Sequence, residues 1–115
     1  MKDFNGEIQY RGKSYKLVFD LNVMESIQEE YGSLDAWGKL TDGVSGEPNA
    51  KAVIFGFREM LNEGIDIDNE EKGTQEAFLT LKQVGRMITE VGLMEATAVL
   101  NDTVVNSAKS EEKNG

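Results

Sequence analysis

The chain has 115 residues, 39% of them hydrophobic and 29% charged, with one Pro and neither Cys nor His. That length suits one domain with one core, and the missing residue types remove disulfides, thiolate chemistry, the commonest metal ligand and the commonest general base. The net charge of −9, from 12 Lys and Arg against 21 Asp and Glu, argues against nucleic acid and anionic membranes as partners, since both attract cationic side chains.

Residues 6–20 predict a β-hairpin. Ile8 and Tyr10 alternate with polar residues, Arg11-Gly12-Lys13 supplies the turn, and Tyr15, Leu17 and Phe19 alternate again. Two strands alone are marginal in water, so the hairpin needs a helical layer beneath it. A first helix is expected from Asn22, with Asn22 and Glu25 spaced as a capping box, Met24, Ile27 and Tyr31 on one face, and Gly32 as the stop. Ser33 then caps a short helix carrying Leu34, Trp37 and Leu40. Thr41 to Asn49 reads as a loop around Gly43, Gly46 and Pro48.

Asn49 caps a third helix expected to reach about Asn62, with Gly64 as its stop. This helix is apolar around most of its circumference, which marks a central, buried element. Gly56 within it either lets another helix approach closely or is merely tolerated, at a cost of about 1 kcal/mol. An acidic polar stretch follows, with seven Asp and Glu from Glu59 to Glu76 against Lys72 alone. Thr80 and Gln83 form a second capping box, opening a helix with Leu81, Val84, Met87, Ile88 and Val91 inward. Gly92 interrupts, and a last helix carries Leu93, Ala96, Leu100 and Val104. The expected architecture is α+β, mainly α: an N-terminal hairpin packed on four to five helices, one domain over residues 1–107, with a disordered polar end at 108–115.

Chemistry finds little purchase. Asp66 to Glu71 resembles a calcium loop in composition, yet the sixth and twelfth positions from Asp66 are Glu71 and Ala77, where an EF-hand needs Gly and Glu. No phosphate-loop pattern occurs, and the Ser and Thr hydroxyls have no His to activate them. No catalytic, metal or cofactor residue is therefore expected, and the inventory argues against an enzyme. What remains is surface for binding. The candidate partner-contacting residues are Trp37, Ile54, Phe55, Phe57, Met60 and Phe78, because bulky apolar side chains anchor interfaces when they are not consumed by the core. The competing expectation is that the third helix is covered on all sides.

The order of these elements resembles the tail assembly chaperones of long-tailed bacteriophages of Gram-positive hosts. Gly12-Lys13-Ser14-Tyr15-Lys16-Leu17-Val18-Phe19-Asp20-Leu21-Asn22 is similar to that family's opening hairpin. Glu29-Glu30-Tyr31-Gly32-Ser33 is similar to the end of its acidic helix. A hydrophobic helix stopped at Glu63-Gly64 and a helix opened by Thr80-Leu81 complete the likeness, over residues 8 to about 105. The resemblance implies a protein of the host cytoplasm that binds the tape-measure protein, keeps it soluble, recruits tail-tube subunits and stays out of the mature virion. It also implies possible self-association into a homo-oligomer, and no catalytic residues. Many members have a longer form made by a −1 ribosomal frameshift, for which Glu112-Lys113-Asn114 offers a compatible coding end. Two other classes stay open: an acidic inhibitor or DNA mimic, supported by the charge alone, and a small enzyme.

Overall fold

A computed structural model describes the backbone of residues 5–44 and 46–114 and the side chains of residues 6–44 and 46–107. The architecture is α+β and mainly helical, an antiparallel hairpin followed by five helices. Strand β1 (Asn5–Tyr10) pairs with β2 (Lys13–Val18), with Ile8 opposite Tyr15 and Gly6 opposite Leu17. The two turn residues Arg11 and Gly12 have φ of 50° and 77°, the double positive φ of a tight hairpin turn that follows the twist of the strands. This register puts Gly6, Ile8, Tyr10, Tyr15 and Leu17 on one face. Ile8, Leu17 and Phe19 enter the core, while Tyr10 and Tyr15 are half-buried at its edge.

Helix α1 (Leu21–Tyr31) starts at a different cap from the expected one. Asp20 is the N-cap, its Oδ1 accepting from the Val23 amide at 3.2 Å. Asn22 lies inside the first turn and donates to Glu63 at 3.1 Å. Either side chain has the right chemistry for a cap; an aspartate gains in addition from the positive end of the helix dipole. The inward residues are Val23 and Ile27, and Met24 and Tyr31 are only partly buried. Gly32, at φ 90°, closes the helix as expected, with its amide on the Gln28 carbonyl. Helix α2 (Leu34–Thr41) is capped by Ser33 and buries Trp37, but Leu40 faces outward.

Helix α3 (Ala50–Lys72) begins at Asn49 as expected and runs past Gly64 to a left-handed C-cap at Gly73. The sequence end point at Gly64 is therefore corrected. A glycine inside a helix costs about 1 kcal/mol relative to alanine, and here a tertiary contact offsets it. A Cβ on Gly64 would stand 2.8 Å from the Lys16 carbonyl oxygen, so its absence lets β2 lie directly on α3. Leu61 and Ile65, one turn apart, continue the buried stripe, and Lys16 Nζ reaches Asp68 at 3.0 Å. Asp66 to Glu71, read as a polar stretch beyond the helix, form its last turns. Among the described residues, no group of three or more Asp or Glu is placed to hold a metal ion.

The chain returns along α3 in an extended segment, residues 74–79, fastened by two asparagines. Asn62 accepts from the Leu79 amide at 2.8 Å and donates to the Leu79 carbonyl at 3.1 Å. Asn69, two turns on, does the same for Glu76, with both distances at 3.0 Å. Helix α4 (Leu81–Val91) then opens with the expected capping box of Thr80 and Gln83. Val84, Met87 and Ile88 point inward, while Leu81, expected inward, is exposed. Gly92, at φ 107°, separates α4 from α5 (Leu93–Asn114). The backbone of α5 is helical to Asn114; the side chains of the end expected to be disordered, 108–115, lie outside the described residues.

Helix α3 is the axis of the molecule. It contacts β2, α1, α2, α4 and α5, and α5 also packs under β1. Phe57, Met60 and Leu61 lie at the centre of the core with Trp37, Val84 and Leu100. The helical layer that two strands require is supplied by α3 and α5. No helix of the described residues is long and apolar enough to cross a membrane.

Candidate functional site

The six candidate partner-contacting residues fall in three places. Trp37, Phe57 and Met60 are 2% exposed or less, so they are core residues and not contact residues of the folded chain. Trp37 is wedged against Gly56 of α3, and Phe57 and Met60 belong to the same buried cluster. Phe78 is 55% exposed and borders a small dimple with Asn22, Glu59, Glu63 and Asp66. Ile54 and Phe55 are half-buried, and they share one site.

That site is a groove of about 1130 Å³ between α3 and α4. Its floor is apolar. Ile54 and Phe55 come from α3, Leu81 from the first turn of α4, and Gly85 leaves a gap one turn later, where a Cβ would touch only Ile54 Cδ1 at 3.5 Å. The Phe55 ring is fixed from behind by an edge-on contact with Tyr31, centroids 5.5 Å apart. Tyr31 Oη is buried without a hydrogen-bond partner among the described residues, and burial raises its pKa, so the phenol keeps its proton.

The rim carries the opposite charge from the molecule. Lys51 and Arg58 stand on α3, Lys82 and Arg86 on α4. Arg58 lies over the Phe55 ring at 5.7 Å and is held by Glu59 at 2.8 Å. Lys51, Lys82 and Arg86 have no carboxylate within 4.0 Å among the described residues. Of the two acidic residues in the lining, Glu30 and Glu90, the second is bound to Arg11 at 3.1 Å. The groove thus combines an apolar floor with a cationic border on a chain of net charge −9. Sequence reasoning found the α3 side of the floor, Ile54 and Phe55, and missed Leu81 and the border. Its signal was present: Lys51 and Arg58 are two turns apart, and Lys82 and Arg86 one turn apart, so each pair lies on one stripe. Only the packing of α4 on α3 brings the stripes together.

Sequence reasoning also missed an acidic pair on another face. The Glu63 carboxyl is pushed up to about 7, first by a hydrogen bond shared with the Asp20 carboxyl and then by burial, against the opposing pull of Asn22. The cause is a like-charge contact made by folding, since Asp20 caps α1 while Glu63 projects from α3. A carboxyl with a raised folded pKa binds its proton more tightly in the folded state. Its contribution is full below the unfolded value near 4.5 and is lost as pH rises through about 7. Asp68, held low by Lys16, titrates below that interval. Because Glu63 is partly solvated, screening reduces the effect to about 1 kcal/mol. Glu63→Gln keeps a donor for Asp20 and an acceptor for Asn22 but does not titrate. Between pH 5 and 8, urea unfolding should show the parent protein losing about 1 kcal/mol relative to E63Q; parallel pH profiles would refute the shared proton.

Comparison with known proteins finds no relative: no family model, no curated protein and no solved structure matches this chain.

Proposed function

We propose that this chain is a tail assembly chaperone of a long-tailed bacteriophage. In this reading it is a non-enzymatic protein of the host cytoplasm that binds the tape-measure protein, keeps it soluble during assembly and recruits tail-tube subunits. The order of sequence motifs from Gly12 to Thr80 suggests the role, and one observation supports it most: an open apolar groove on a chain of net charge −9. A tape-measure protein is a long helical chain that exposes apolar stripes before the tube encloses it. A small acidic protein that covers such a stripe removes apolar surface from water and adds charge that keeps complexes apart.

The acidic-inhibitor reading draws on net charge alone, and the cationic border of the groove gives a DNA mimic no use for this site. Co-expression tests the chaperone reading. A tape-measure protein from the same phage should move from the pellet to the soluble fraction when the two are made together, and should co-purify with this chain. Equal precipitation with and without this chain would defeat the reading.

A further inference from the structure

We propose that the groove between α3 and α4 docks an amphipathic helix whose apolar stripe is flanked by Asp and Glu. The proposal deepens the reading above and rests on it for the identity of the client, though not for the chemistry of the groove. Three features carry it. The first is shape. From Lys51 to Arg58 on α3, and from Leu81 to Glu90 on α4, the walls run for two to three helical turns, a length of about 10–14 Å at 1.5 Å per residue. That length accommodates one apolar stripe of positions i, i+3 or i+4, and i+7, the pattern by which helices are read in grooves. The second is the gap at Gly85, where the wall has no side chain and a Cβ would meet ordinary contact only. A client side chain can enter there against Ile54.

The third feature is charge, and it decides the partner. Four of the 12 cationic residues of this chain border one groove. Three of them have no carboxylate within 4.0 Å among the described residues. An acidic segment is repelled by a chain of net charge −9 at a distance and attracted at this border, where Lys51, Lys82 and Arg86 have no carboxylate within 4.0 Å among the described residues. At physiological salt, charges interact over about 8 Å, so the local border governs docking once the partners meet. Long Lys and Arg stems also cover the apolar flanks of a docked helix while their heads reach its carboxylates. A Lys-flanked helix has the reverse experience: drawn to the molecule generally and expelled from this groove. Electrostatics of this kind sets orientation and partner choice more than raw affinity.

The test uses synthetic helical peptides with a leucine stripe, flanked by Glu in one version and by Lys in the other, titrated against the full chain by fluorescence anisotropy. The Glu-flanked peptide should bind at least 10-fold tighter than the Lys-flanked one, and the preference should shrink as salt is raised. The double variant K82E/R86E should lose that binding at least 10-fold. Gly85→Leu, which fills the gap, should weaken both peptides while leaving thermal unfolding at or above the parent value. Equal affinity for the two peptides, or binding indifferent to both variants, overturns the proposal. So does an oligomer of the protein alone that K82E/R86E dissociates, since a second copy would then be the occupant. The two readings fail separately. If K82E/R86E still solubilises the tape-measure protein, the groove assignment falls and the chaperone reading stands. If the parent protein solubilises nothing yet prefers the acidic peptide, the groove stands and the chaperone reading falls.

Discussion

Trp37→Ala should cost about 3–5 kcal/mol of folding stability, enough to leave a domain of this size close to unfolding at room temperature. Trp37 is among the largest fully enclosed side chains, and its Nε1 donates to the Ala52 carbonyl at 3.0 Å. Truncation therefore opens a cavity at the junction of α2 and α3 and removes the only hydrogen bond α2 makes to the central helix through this side chain. The indole fits because Gly56 lacks a Cβ, which would stand 2.4 Å from its Cζ2. This pairing gives a sharper test than the single loss. In the parent protein Gly56→Ala should destabilise, since overpacking costs about 1–3 kcal/mol. In the Trp37→Ala background the same change should stabilise by up to about 1 kcal/mol, because only the helix preference of alanine is left. Urea unfolding of the four proteins measures both signs. A Gly56→Ala effect of the same sign in both backgrounds would mean that the wedge is not as described.

Gly64→Val should be comparably damaging, with a loss of more than about 3 kcal/mol. The obstacle is backbone. The Lys16 carbonyl, 2.8 Å from an added Cβ, belongs to β2, and it moves only if the hairpin lifts off α3. Lifting it exposes Leu17, which is wholly buried, and parts Lys16 from Asp68. Gly64→Ala is the controlled version. An ordinary glycine inside a helix becomes more stable by about 1 kcal/mol on conversion to alanine; this one should become less stable, with a lower thermal midpoint. A midpoint that rises would show that the strand does not depend on the missing side chain.

These two glycines also explain where the sequence was readable. Helix starts at Ser33, Asn49 and Thr80 were legible because a cap is chemistry within four residues: a side-chain oxygen and the amides it faces. The hairpin was legible from alternation, and most of the core from helical spacing. The end of α3 was not, because Gly64 carries the local mark of a stop and its compensation comes from β2. At the start of α1 the expected cap, Asn22, gives way to Asp20, which the helix dipole also favours, and Asn22 is left to meet Glu63, a partner on another helix. For the groove, Ile54 and Phe55 were visible as apolar residues off the main stripe of α3. Phe57 and Met60 lie on that main stripe and Trp37 on the short helix; they were candidates too, since a sequence shows that a side chain is bulky but not which neighbour covers it.

The two asparagines that fasten residues 74–79 give the most acidic part of the chain an unexpected constraint. A side-chain amide presents one donor and one acceptor side by side, as a peptide unit does, so Asn62 and Asn69 let a helix stand in for a neighbouring strand. Aspartate, nearly identical in outline, has no N–H to give to the Leu79 or Glu76 carbonyl. Amid carboxylates, these two positions must stay neutral, and loss of ammonia from either would turn a fastener into a repelling contact.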